Sequence, residues 1–371
     1  MNDLISRRLK AAREKLDLTQ AQLSEKLGFK DRQTLAAIEA GQRKISAEEL
    51  LRAIQVLGVD LDYFTDGFRL DGEGRFSWRA DKGASDDLLK TFEARAGRWI
   101  ATYRRLGDIQ GIKTAVLQRH LPLNEQSTFE EAVTAGEAVG LEWKLGDKPA
   151  LALERAAEAS LGALILYVNA PKGISGAACQ VPGLSTILIN RNESEGRRHY
   201  DLAHEIFHVL TWEQMPPEHR ELSDGDRRGK GRYKRIEQLA DNFAAALLMP
   251  ERALAPLWQA RNGGDIHAWL NRTAAEFLVS AMALKWRLIN LGWLTKAELD
   301  SINDAKLTAN GRPKADQQTP RLFSEAFVRR LHMALAKGQL SVRRAAVLLE
   351  LTLDDLAQLF RDYQLPVPFD L

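Results

Sequence analysis

The chain has 371 residues, 45% of them hydrophobic and 27% charged, which is enough for more than one core and excludes a fibrous or disordered protein. Its 52 basic and 50 acidic residues nearly cancel, so overall charge selects no partner and any nucleic-acid surface must be local. A single cysteine excludes an internal disulfide, the N-terminus lacks the apolar core of a signal peptide, and no apolar run approaches the ~20 residues of a membrane helix, so the expected location is cytoplasmic.

Ile5, Leu9, Ala12 and Leu16 recur at helical spacing and predict a first helix. A capping box over Thr19–Gln22 opens a second, which Gly28 stops after Leu27. A third runs from about Asp31 to Ala40, with Gly41 just beyond its end. Ser46–Glu49 is another capping box and opens a fourth through Leu57, with Leu61 and Phe64 expected to close the core. Residues 67–85, rich in Gly and Asp, predict a linker. Residues 86–165 read as mostly helical, and Arg95, Arg98, Arg104 and Arg105 read as a solvated basic face on a packed helix.

A break near Gly146 and Pro149 precedes a helix from Ala150 to Leu161. Strands are predicted over Ala163–Val168, Ile174–Gln180 and Ser185–Asn190, with Cys179 as a small core residue in the second. A helix from Arg197 to about Trp212 ends at Met215-Pro216-Pro217, and a polar loop follows. The next helix covers 234–249 and stops at Pro250. Further helices reach about Glu298, 306–320 reads as a linker, and 321–363 is helical again. The expected protein is multidomain and mainly α with a small β-sheet. An all-α bundle spans 1–66, a linker and helical segment 67–149, a central α+β domain 150–298, and a linker with a C-terminal helical region 299–371.

His204 and His208 lie four residues apart, hence on one helix face, where both imidazoles can reach one tetrahedral ion at about 2.0–2.1 Å. Glu205 projects beside that ion, where it can take a proton from water. The following helix offers Glu237 as a third ligand, and Asp241, one turn on, as either a ligand or a partner of one. Ala240, Ala244, Leu247 and Leu248 form its buried stripe, small enough for close approach to the histidine helix. Tyr200 shares a face with His204 and reads as core packing or as an oxyanion donor. His219 and His267 read as surface residues. Whether a fourth ligand position stays open or is plugged by the chain itself is undecided by sequence, and the loop 213–233, next to the histidine helix, is the segment that could plug it.

Taken in order, Ile174–Ala178, Thr186–Asn190, His204–His208 and Glu237–Pro250 resemble the ImmA/IrrE family of zinc metallopeptidases, over about residues 150–295. The resemblance implies one Zn2+ held by His204, His208 and Glu237, Glu205 as general base, and a zincin-like (gluzincin) minimal fold. It also implies an action on helix-turn-helix repressors, by cleaving them or promoting their cleavage.

Leu18–Gly28 followed by Arg32–Gly41 resembles the XRE, or lambda-repressor-like, helix-turn-helix over about 1–65. In that arrangement the second helix enters the major groove. Arg32, Gln33 and Thr34 would then meet base edges, while Gln20, Lys30, Arg43 and Lys44 would meet phosphates. The turn Gly28–Asp31 is one residue longer than the commonest form. Leu340–Leu356 also reads as helix, turn, helix, either a second DNA-reading unit or a packing or dimerisation element. The two resemblances imply a homodimeric regulator of double-stranded operator DNA carrying a metallopeptidase-like domain. Its partner would be a toxin or a repressor protein, and its setting a toxin–antitoxin or stress/phage-response operon. Alternatives are a zinc endopeptidase that cleaves a helix-turn-helix repressor and a non-catalytic zinc-containing binding module.

Overall fold

The computed structural model describes residues 2–112, 120–222, 232–261, 263–308 and 318–370. The chain divides into two compact units that are not sequential segments. The first comprises Met1–Arg75, Lys90–Lys113 and Arg329–Leu371, the second Phe76–Leu89 and Thr114–Val328. Of the expected polar loop and second linker, 223–231 and 309–317 lie outside the described residues.

Five short helices open the chain: α1 (Asn2–Lys15), α2 (Gln20–Leu27), α3 (Arg32–Glu39), α4 (Ala47–Leu57) and α5 (Leu61–Thr65). Both expected capping boxes form, Thr19 with Gln22 and Ser46 with Glu49, so each helix start satisfies its free N–H groups locally. Gly28 ends α2 in the left-handed region, at φ 72°. Ile5, Leu9, Leu23, Leu35, Ile38 and Phe64 meet in one apolar core. Two expected core residues do not join it: Leu16 is 48% and Leu61 51% exposed. Leu16 lies past the last residue of α1, and Leu61 is the first residue of α5, so the helical period no longer aims them inward.

β1 (Arg75–Ala80) follows, inside the stretch expected to be a linker. The flanking Gly and Asp residues masked an alternation of Phe76, Trp78 and Ala80, the period of a strand. On α6 (Asp86–Gln110), three of the four arginines expected to be solvated are tied to acids, while Arg105 is exposed. Arg104 pairs with Glu73 at 2.7 Å, and Arg95 and Arg98 both pair with Glu350. α7 (Phe129–Glu142) and α8 (Leu153–Leu161) lead into β2 (Leu164–Val168), β3 (Ile174–Val181), β4 (Leu184–Asn190), α9 (Glu195–Thr211) and β5 (Arg220–Leu222). Then come α10 (Arg232–Leu248), α11 (Glu251–Gln259), α12 (Ile266–Phe277), α13 (Ala281–Asn290), α14 (Lys296–Ser301), α15 (Glu325–Ala336), α16 (Val342–Leu349) and α17 (Leu353–Asp362).

The sheet has the order β2-β4-β3-β1-β5. β2 and β4 run parallel, β3 and β4 antiparallel, and β1 and β5 parallel. β2 and β4 are buried along their whole length, β2 as an unbroken apolar run and β4 with Ser185, Thr186 and Asn190 among its apolar residues. Cys179 is buried in β3, as a core residue should be. α9 lies against β3 and β4, and α10 lies against α9 and α7. The α7–α10 contact is tight: a Cβ on Gly136 would stand 2.5 Å from the carbonyl oxygen of Phe243.

Candidate metal centre and nucleic-acid interface

α9 presents His204, Glu205 and His208, all buried, from beneath the sheet. The two imidazole Nε2 atoms are 3.0 Å apart. Glu237 on α10 brings Oε2 within 3.1 Å of His204 Nε2 and Oε1 within 3.6 Å of His208 Nε2. A residue that sequence reasoning passed over completes the cluster. Glu221 on β5 places Oε1 3.2 Å from His208 Nε2 and Oε2 3.5 Å from His204 Nε2. One donor atom from each of the four residues lies within 4.8 Å of all the others.

Asp241 stands outside this cluster, with Oδ1 3.1 Å from His204 Nδ1. A ring that donates through Nδ1 leaves Nε2 as a bare acceptor, the form a metal ligand needs. The Tyr200 hydroxyl donates to Asp241, 3.1 Å from its carbonyl and 3.3 Å from Oδ1. Tyr200 is thus a brace for Asp241. His219 is exposed, as expected. His267 is not: its ring is mostly covered, and Nε2 accepts the Asn303 N–H at 2.8 Å.

The donor set fits a divalent ion. Bonds of about 2.0–2.1 Å put the corners of a tetrahedron about 3.3–3.4 Å apart. The imidazole–imidazole and shortest imidazole–carboxylate separations run from 3.0 to 3.6 Å, and one donor atom from each residue lies within 4.8 Å of the rest. Two lone pairs and two carboxylates converging in a buried space repel one another unless positive charge joins them. Protonation shows the same demand. Burial alone would lower the His208 imidazole, but the Glu221 and Glu237 carboxylates outweigh it and push it up to about 10. Burial pushes the Glu205 carboxyl up to about 8, and the Glu221 charge adds to the effect. Both Glu205 oxygens are buried and accept no hydrogen bond from a described residue.

β1 supports the site from its other face. Phe76 and Trp78 stack with ring centres 5.3 Å apart, so Ser77 and Arg79 point the opposite way. Arg79 Nε lies 3.1 Å from Asp201 Oδ1, and its guanidinium 3.8 Å from Asp241. Ser77 Oγ lies 2.5 Å from Glu221 Oε1. The alternation of β1 was the signal that could have revealed Ser77 and Arg79. A three-residue strand such as β5 has no readable period, so nothing local marked Glu221.

In the first unit, Arg32 and Gln33 are exposed in the first turn of α3. Thr34 is half-buried, and its Oγ1 lies 3.3 Å from the capping Asp31. Lys30 and Lys44 are exposed. Arg43 is exposed but forked onto Glu49 at 2.8 and 3.0 Å. Gln20 is half-buried, and its side-chain amide donates to Glu39, which also holds Arg13 at 2.7 Å. Of the positions expected to meet bases, Arg32 and Gln33 are open and Thr34 is half-buried, while Gln20 and Arg43 brace the bundle.

Residues 9–64 match the model of the helix-turn-helix family, and residues 158–288 that of the IrrE N-terminal-like domain. No curated protein matches this chain. Among the described residues, no helix is long and apolar enough to cross a membrane.

Proposed function

From a chain that joins an XRE-type helix-turn-helix to an IrrE/ImmA-like metallopeptidase-family domain, we propose a cytoplasmic, DNA-binding transcriptional regulator whose second unit binds one Zn2+ and carries peptidase chemistry. The observation that carries the metal half is the convergence of His204, His208 and Glu237 on one buried point, with Glu205 beside them. These three residues would hold the ion. When bound, such an ion polarises a carbonyl and acidifies water. Glu205, buried beside the cluster with no hydrogen bond from a described residue, is placed to take a proton from water and return it to a leaving amine.

The DNA half rests on the exposed first turn of α3. Arg32 and Gln33 are free to read base edges, with Lys30 and Lys44 on phosphates, and a homodimer would span a two-fold operator. A DNA reader joined to a repressor-directed peptidase fits an autoregulator of a toxin–antitoxin or stress/phage-response operon, with the toxin or a repressor as partner. A closed, non-catalytic zinc module is the second reading, and the observation that favours it is Glu221 at the same point.

Two measurements on the full-length protein test this. Metal analysis should find one zinc per chain, lost in His204→Ala; absence of zinc from the wild type rejects the metal half. DNA from upstream of its own gene should be shifted specifically. Arg32→Ala should weaken that shift roughly tenfold, since a bidentate base contact is worth about 1–3 kcal/mol. No specific shift by the wild type rejects the regulator.

A further inference from the structure

The fourth corner of the metal cluster belongs to the chain itself. Catalytic zinc sites keep one position open for water or substrate, whereas closed sites with four protein ligands are structural. Glu221 stands in the same relation to the histidine pair as Glu237 does: each offers one oxygen to each imidazole, at 3.2 and 3.5 Å for Glu221 and at 3.1 and 3.6 Å for Glu237. Glu221 is also the more enclosed, its side chain 3% exposed against 27% for Glu237. Its Oε2 is buried and accepts no well-formed hydrogen bond from a described residue, with His204 Nε2 3.5 Å away, so a strong acceptor is aimed into the cluster.

Glu221 is held there by design of the strand. β5 pairs in parallel with β1, Arg79 opposite Glu221. The Trp78 N–H donates to the His219 carbonyl at 2.9 Å, and Ser77 Oγ braces Glu221 Oε1. Arg220, which precedes Glu221, is anchored on the Asp81 and Ala84 carbonyls at 2.6 and 2.7 Å and on Asp86 at 3.0 Å. Yet β5 is three residues long and forms an edge of the sheet, with one strand neighbour. Such an edge can be withdrawn without dismantling the core.

We propose that Glu221 is a fourth protein ligand that closes the zinc centre, so that the folded chain is a latent peptidase and the reactive position opens only when β5 leaves the sheet edge. This rests on the zinc reading above. Withdrawal of Glu221 vacates one corner for water while His204, His208 and Glu237 keep the ion.

The test replaces zinc by cobalt(II) in the full-length wild type, in Glu221→Ala and in Ser77→Ala, and titrates each with azide while recording the visible spectrum. The wild type should show a strong four-coordinate spectrum that azide leaves unchanged. In Glu221→Ala, azide should alter the spectrum at millimolar concentration, and zinc affinity should fall tenfold or more. Ser77→Ala keeps every ligand and only loosens Glu221, so it should give partial azide access even if Glu221→Ala folds poorly. Azide entering the wild type as readily as Glu221→Ala overturns the closed centre but leaves the zinc reading standing. A wild type that takes up no cobalt overturns both.

Discussion

A metal ligand is useful only if its lone pair is aimed, and in the proposed zinc site Asp241 and Tyr200 would do the aiming. Asp241 accepts from His204 Nδ1 at 3.1 Å, and the Tyr200 hydroxyl braces Asp241 in turn. Asp241→Asn keeps the shape but removes the charge that favours the Nδ1–H tautomer. It should lower zinc affinity by about 10- to 100-fold without unfolding the protein, measured by competition with a chromogenic chelator. Unchanged affinity would show that α9 and packing alone orient the ring. His204, Glu205 and His208 were legible because they are spaced by a helical turn, a relation confined to five adjacent residues. Glu237 was legible because its helix announces its buried face. Glu221 was not, since its link to the histidines is a contact across the sheet that no local pattern encodes.

At the scale of the element, the helix that carries Glu237 is positioned by how closely α7 can approach it. Gly136 has no room for a side chain, whereas a Cβ on Gly140 would make ordinary contacts with Leu247, 3.6 Å from the end of its side chain and 3.9 Å from its carbonyl oxygen. In an exposed helix Gly→Ala would stabilise by roughly 0.5–1 kcal/mol. At Gly136 that gain competes with a contact against a backbone oxygen that cannot rotate away, and overpacking of this kind costs about 1–3 kcal/mol. Gly136→Ala should therefore be net destabilising in urea unfolding, by about 1 kcal/mol or more, while Gly140→Ala should be neutral or stabilising. Equal effects at the two positions would refute the close-contact argument. Helix starts were legible for a related reason: Thr19, Ser46 and Thr352 carry their capping partners three residues on. β1 was hidden because its alternation spans six residues amid turn-forming Gly and Asp.

For the whole molecule, the metal and the fold of the second unit should be linked thermodynamically. Glu221 lies on β5, the histidines on α9 and Glu237 on α10, so an ion that draws them together ties three elements. Binding that saturates the site a thousandfold above its dissociation constant adds about 4 kcal/mol. Stripping the metal with a chelator should thus lower the melting temperature, by on the order of 10 °C for a unit of this size. Restored zinc should reverse the change, and an unchanged melting temperature would show that the cluster is held by protons instead.

The candidate residues were set largely by the sequence itself, because a helix with paired histidines, a capped helix of the helix-turn-helix and an alanine-striped partner helix are each written in residues one or two turns apart. The mainly α architecture with one small sheet followed from the same local periods. Two things waited on the folded chain. One is that residues 75–80 form a strand whose far face, Ser77 and Arg79, buttresses the site. The other is that Glu221 arrives at the histidine pair from an edge strand. Both depend on pairing between β1 and β5, segments some 140 residues apart (Ser77 to Glu221). Pairing of that kind is chosen by the energy of the assembled sheet, and neither short segment carries a pattern of its own that would specify it.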